Sequence, residues 1–250
     1  MLILVYLIKK MIITKEIEYR GDGVLLKGFC AYPDRGAHLP AVLIAPTWAG
    51  RDNFACEKAI AMAKKGYLGF AIDIYGEAKV GSSKEENANL MNSLLEDKHA
   101  LMTRLRSAYN IVRKMPRVDK SSVSAIGFCF GGKCVLDMAR SNFELKAAIS
   151  FHGLLESNIV KEQKIDTKIL VLHGYNDPMV PPEQVNRFQQ EMNMRKADWQ
   201  LHTFGNTYHA FTNPNANDLE FGTVFSKESN KRAWKLAEDF LRETFVSSYF

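Results

Sequence analysis

Two patterns of hydrophobic and polar positions alternate along this chain. Short apolar runs suit strands that are buried on both faces of a sheet, and longer segments with apolar positions every three or four residues suit helices. The predicted strands cover residues 41–45, 67–73, 123–127, 146–151, 168–173 and 199–204. The predicted helices cover residues 53–65, 83–115, 133–140, 181–193 and 226–246. This alternation predicts an α/β fold with a doubly wound, mostly parallel central sheet and helices on both faces.

The N-terminal part of the chain carries a strong turn signal. Gly21-Asp22-Gly23 separates two strand-like segments, residues 17–19 and 24–32, and predicts a β-hairpin between them. Residues 1–16 are interpreted as an N-terminal extension that is either an extra strand or disordered. We expect the remaining residues, 17–250, to form a single domain, since a chain of this length can bury one sizeable core.

The sequence predicts neither secretion nor membrane insertion. The apolar residues 1–8 precede Lys9-Lys10, which reverses the order of a signal peptide, and they are too few to span a bilayer. Met11 is an alternative natural start. The four cysteines lack the paired spacing of a zinc site and are expected to be reduced thiols. We therefore predict a cytoplasmic protein with no membrane partner.

The composition argues against a nucleic-acid partner. The chain has 250 residues, of which 46% are hydrophobic, and a net charge of +5. Its lysines and arginines are dispersed, whereas a nucleic-acid interface needs a concentrated basic face. No pair of histidines has metal-ligand spacing, so we predict neither a metal nor a cofactor. Both a monomer and a homodimer remain open.

The central chemical signal is Gly127-Phe128-Cys129-Phe130-Gly131-Gly132. It matches the nucleophile-elbow pattern of α/β-hydrolases with cysteine in place of serine. A predicted strand precedes it and a predicted helix follows it, as the pattern requires. The glycines leave room for a sharp turn, and the helix N-terminus favours a thiolate at Cys129. The alternative is a buried structural cysteine beside a glycine-rich bend.

The elbow predicts an acid and then a histidine further along the chain, each in a loop after a strand. Asp177 and His209 meet this condition, although each alone could be an ordinary loop residue. We predict a Cys129–His209–Asp177 triad. The backbone amides of Phe130 and Trp48 are the predicted oxyanion hole.

At this point the sequence resembles the dienelactone hydrolase family over nearly its whole length from residue 17. The resemblance rests on the cysteine elbow, on residues 66–76, on His173-Gly174 with Asp177, and on residues 208–211. It implies hydrolysis of a small ester or lactone, as by a carboxylesterase, through a thioester formed on Cys129.

Three positions depart from the family pattern. Thr47 occupies the place of a family glutamate that holds the thiol before substrate arrives. Lys79 and the run that begins with Phe211 stand where the family has arginines for a substrate carboxylate. These positions, together with His152 at the end of a predicted strand, are the candidate substrate-pocket residues. A carboxylated dienelactone is therefore not predicted to be the substrate.

Two alternatives remain open. The same triad could serve a thioesterase or an acyl-transfer enzyme, which substrate profiling would distinguish. The fold could also carry a non-catalytic small-molecule-binding protein, because fold alone does not determine function.

Overall fold

The computed structural model describes residues 11–157 and 163–246. The strands are β1 (Ile12–Gly21), β2 (Val24–Pro33), β3 (Leu39–Ala45), β4 (Leu68–Ala71), β5 (Val118–Phe128), β6 (Ala147–Phe151), β7 (Lys168–Gly174), β8 (Trp199–Phe204), β9 (Asn217–Asp218) and β10 (Thr223–Val224). The helices are α1 (Asn53–Lys64), α2 (Lys84–Glu96), α3 (Lys98–Arg113), α4 (Phe130–Arg140), α5 (Pro182–Met194) and α6 (Lys227–Val246).

Eight strands form one sheet in the order β1-β2-β4-β3-β5-β6-β7-β8. The β1–β2 and β2–β4 pairs are antiparallel, and the other pairs are parallel. One buried apolar cluster joins the sheet to α2, α3, α4 and α5, and a second joins it to α1 and α6. Helices therefore cover both faces, and the predicted α/β fold class is confirmed.

The strand that begins the sheet is longer than predicted. Residues 12–16, which the sequence assigns to an N-terminal extension, form the first half of β1, and Ile12 pairs with Pro33. The predicted hairpin turn lies between β1 and β2. Residues 1–10 lie outside the described residues. Among the helices described, none is long and apolar enough to cross a membrane.

The single long helix predicted over residues 83–115 is wrong, because two helices meet at Asp97. The Asp97 carboxylate accepts a hydrogen bond from the amide of Ala100 and caps α3. Its own amide donates to the Ser93 carbonyl at the end of α2. A side chain that satisfies a helix N-terminus in this way favours a new helix start over continuation.

The predicted strand over residues 67–73 is shortened to β4 because Asp73 binds the loop that follows. Its buried carboxylate accepts hydrogen bonds from the amides of Lys27, Tyr75, Gly76 and Ala78. The bonds from Tyr75, Gly76 and Ala78 fold the chain into a turn at the carboxyl ends of the parallel strands, where the cysteine elbow also lies.

Candidate active site

Cys129 sits at the tip of the turn between β5 and α4. Its backbone has φ 55° and ψ −118°, a conformation that a residue with a side chain rarely adopts. The Cys129 amide donates to the carbonyl of Phe151 at 3.1 Å, and the Cys129 carbonyl accepts from the amide of Gly132 at 2.9 Å. The surrounding backbone therefore holds a strained turn in place, as is common at functional sites.

The glycines of the elbow are required by close backbone contacts. A Cβ placed on Gly127 would lie 2.0 Å from the carbonyl oxygen of Gly131. One placed on Gly131 would lie 2.2 Å from the carbonyl oxygen of Ala45 and 2.3 Å from that of Pro46. The first turn of α4 thus packs directly on the end of β3, which leaves no room for side chains.

Asp177 and His209 are joined by a short hydrogen bond in the loops after β7 and β8. Asp177 Oδ2 accepts from His209 Nδ1 at 2.7 Å, and both side chains are buried. The other carboxylate oxygen, Oδ1, accepts from the amide of Met179 at 2.9 Å. These two bonds fix the carboxylate, and the carboxylate fixes the orientation of the imidazole ring.

The backbone of His209 is supported by the small hairpin of β9 and β10, which is absent from the strands predicted from the sequence. The His209 amide donates to Gly222, and the His209 carbonyl accepts from Val224, each at 3.0 Å. Gly222 also packs against Pro178, because a Cβ there would lie 2.2 Å from the proline ring. The hairpin therefore braces the histidine loop against the aspartate loop. Two-residue strands give almost no pattern in a sequence.

The second ring nitrogen of His209, Nε2, is buried and makes no hydrogen bond within residues 11–157 and 163–246. Burial by itself lowers the pKa of this imidazole. The negative charge of a Cys129 thiolate and the bond to Asp177 outweigh burial and raise the pKa of His209 to about 10. His209 therefore holds a proton more strongly than an ordinary histidine does.

Cys129 and His209 both line a cavity of about 420 Å³. The described residues that line it are Thr47, Trp48, Phe54, Lys84, Met91, Cys129, His152, Leu154, Met179, His209, Ala210, Asn213, Ala216, Phe221 and Thr223. Thr47 and His152, two of the four candidate pocket residues, are among them. Most of the others are apolar side chains from separate loops and helices, which no local motif identifies.

The other two candidate pocket residues do not line this cavity. The Lys79 side chain is half exposed and forms an ion pair with Glu86 at 3.1 Å. Phe211 is fully buried and packs against the rings of Phe204 and His152. Both occupy chain positions where the resemblance places arginines, but the contacts of their side chains direct them away from the cavity.

The predicted oxyanion amides lie on two segments in contact. Phe130 is the first residue of α4, and Trp48 lies in the turn after β3. The two segments are in contact because the carbonyls of Ala45 and Pro46 pack against Gly131. Neither the Phe130 nor the Trp48 amide donates a hydrogen bond within the described parts of the chain. Free amides at a helix N-terminus suit an anionic oxygen.

His152 is the second buried imidazole of the site. Its Nε2 is 2.8 Å from the hydroxyl of Thr212, and its ring centroid is 5.2 Å from that of His209. Burial and then the charge of His209 hold the pKa of His152 well below its ordinary value. His152 therefore lines the cavity as an uncharged side chain and is a weaker base than His209.

The remaining histidines do not reach the cavity. His173 is the second-last residue of β7, and His202 lies in β8 with its Nε2 3.3 Å from Oε1 of Gln200. His99 lies in α3, and His38 precedes β3. None of these four lines the cavity.

The sheet order, the cysteine turn and the positions of the acid and histidine loops define the α/β-hydrolase fold. Comparison with known proteins gives the family. The family model described as the dienelactone hydrolase family matches residues 26–245, so the chain belongs to that family.

Individual relatives agree with this assignment. A putative carboxymethylenebutenolidase of Yersinia pestis is 25% identical over 246 residues, which cover 93% of this chain and 89% of the relative. The solved structure of m3DLH is 30% identical with a TM-score of 0.90, and the match covers 94% of this chain and 99% of that one. A dienelactone hydrolase-like promiscuous phosphotriesterase from metagenomic libraries is 28% identical with a TM-score of 0.89 and the same coverage.

Proposed function

We propose that this protein hydrolyses small esters or lactones through a thioester on Cys129. The observation that carries the proposal is the bond of 2.7 Å between His209 and Asp177, in a cavity that His209 shares with Cys129. Because Asp177 occupies Nδ1, the free Nε2 of His209 is the nitrogen available to exchange a proton with the thiol.

In the first half-reaction, Nε2 of His209 takes the proton from Cys129 Sγ. The thiolate attacks the carbonyl carbon, a C–S bond forms, and the carbonyl π electrons move to the oxygen. The amides of Phe130 and Trp48 stabilise that oxyanion. When the oxyanion collapses, the C–O bond to the leaving group breaks, and His209 returns its proton to the leaving oxygen.

In the second half-reaction, His209 takes a proton from water, and the resulting hydroxide attacks the thioester carbonyl. The C–S bond breaks, the thiolate leaves with the bonding electrons, and His209 returns its proton to the sulfur. The products are a carboxylic acid and the original enzyme. A thiolate nucleophile suits esters and lactones better than amides, because an alkoxide is the better leaving group.

The first test compares Cys129→Ala with Cys56→Ala on p-nitrophenyl hexanoate. Cys56 is a partly exposed cysteine in α1 that does not line the cavity. We expect Cys129→Ala to lose at least ~10³-fold in kcat/KM, because the covalent route is removed. Cys56→Ala should retain the wild-type rate. Equal activity of the two variants would overturn the proposal.

A further inference from the structure

The active-site cavity contains almost no fixed charge. Apart from Cys129, His152 and His209, the described residues that line it carry one ionisable side chain, Lys84. No arginine and no carboxylate is among these lining residues. A substrate carboxylate that entered this space would lose water and would need a cation to replace it.

Lys84, whose side chain is 63% exposed, is paired with an acidic residue. Its ammonium group forms an ion pair and hydrogen bond with Asp218 of the β9–β10 hairpin. It also lies 4.7 Å from the centroid of the Phe221 ring, within cation–π distance. Asp218 is held by a second bond, because its Oδ1 accepts from the amide of Phe221 at 2.9 Å. The hydrogen bond from Lys84 and that amide bond lower the pKa of Asp218, so its carboxylate stays ionised at neutral pH.

Phe221 connects this pair to the aromatic side chains of the cavity. Phe221 stacks on Trp48 with ring centroids 5.6 Å apart and planes inclined by 18°. Rings, thioethers and an aliphatic side chain then face the cavity from Trp48, Phe221, Phe54, Met91, Leu154 and Met179. Such a surface binds aromatic or alkyl groups through apolar burial.

We propose that the acyl group of the substrate is uncharged and apolar, and that Asp218 determines this specificity by cancelling the charge of Lys84. The inference rests on the proposed ester hydrolysis. It assigns Asp218 a role in selecting the substrate that is separate from the proton transfers at His209. Asp218 and Lys84 are distant in sequence, so the hairpin is required to bring them together.

The test uses two esters with the same leaving group and acyl chain length. These are p-nitrophenyl hexanoate, which is neutral, and mono-p-nitrophenyl adipate, which ends in a carboxylate. We expect the wild-type kcat/KM to favour the hexanoate. Asp218→Asn leaves Lys84 unpaired while keeping an oxygen acceptor for the Phe221 amide. It should shift the ratio toward the adipate about fivefold at low salt, and less at high salt.

Lys84→Met leaves Asp218 unpaired and should shift the same ratio in the opposite direction. The double variant carries neither charge and should return to the wild-type ratio. Asp239→Asn is the matched control, because Asp239 forms a half-exposed ion pair with Lys235 on α6 and does not line the cavity. It should leave the ratio unchanged. A wild-type preference for the adipate, or no opposite shifts in the two single variants, would overturn the inference.

A second readout does not depend on turnover. Alkylation rates of Cys129 by neutral iodoacetamide and by anionic iodoacetate report the charge of the cavity directly. Asp218→Asn should raise the iodoacetate rate relative to the iodoacetamide rate, and Lys84→Met should lower it. If these shifts occur but no ester is hydrolysed, the proposed function fails while the charge assignment holds. If esters are hydrolysed but these shifts do not occur, the charge assignment fails while the proposed function holds.

Discussion

The substitution Asp177→Asn tests the proton transfer at His209, and the structure determines how it should fail. In the wild type, one oxygen of Asp177 accepts from the Met179 amide and the other accepts from His209 Nδ1. The oxygen of the substituted amide must stay with the Met179 amide, which can only donate. The NH₂ group then faces Nδ1 of His209.

An NH₂ group in that position donates to Nδ1 and forces the ring hydrogen onto Nε2. That tautomer cannot accept a proton from Cys129. The substitution also removes the charge of Asp177 and its hydrogen bond as an acceptor, both of which raise the pKa of His209. We expect kcat to fall by ~10³- to 10⁴-fold, equivalent to about 4–5.5 kcal/mol of transition-state stabilisation.

The assay is steady-state hydrolysis of p-nitrophenyl hexanoate, with Asp239→Asn as the control for the same chemical change on the surface. Circular dichroism should show that the Asp177→Asn variant is folded, because a side-chain amide has the same shape as the carboxylate that it replaces. A folded Asp177→Asn enzyme with kcat within about tenfold of the wild type would refute this account of the histidine.

Three further predictions concern stability. Gly131→Ala should destabilise the protein by at least ~1–3 kcal/mol in urea unfolding, because the added Cβ would lie 2.2 Å from the Ala45 carbonyl; unchanged stability would contradict that packing. Asp97→Ala should cost about 1 kcal/mol through loss of the α3 cap, with hydrolysis unaffected. The raised pKa of His209 means that its charged form stabilises the fold below about pH 6.5 and that this contribution disappears as the pH rises through about 10. The stability difference between wild type and His209→Gln should shrink over that range, and a difference that grows with pH would contradict the assignment.

The features that could be predicted from the sequence are those that follow from the local pattern of residues. The apolar runs of the inner strands define the parallel sheet, and β8 has the same bounds, 199–204, in prediction and structure. The elbow was also recognisable, because crowding leaves glycine as the residue that fits at positions such as 127 and 131. In both cases the cause lies within a few residues of the pattern.

Features that depend on contacts between distant segments could not be predicted. The helical rhythm continues through Asp97, and the amide that it caps becomes visible only in the folded chain. Lys79 and Phe211 occupy the expected chain positions, but an ion pair and a buried ring contact direct their side chains away from the cavity. The Lys84–Asp218 pair joins residues 134 positions apart, so no local signal indicates it.

The most direct test of the central claim is to identify the atom that carries the acyl group during turnover. The enzyme would be mixed with p-nitrophenyl hexanoate, quenched in acid within the first turnovers and analysed by intact and peptide mass spectrometry. We predict one hexanoyl group, located on the peptide that contains Cys129 and removed by hydroxylamine as a thioester. Hydrolysis at the full rate with Cys129 unmodified, or with the acyl group on another residue, would contradict the account.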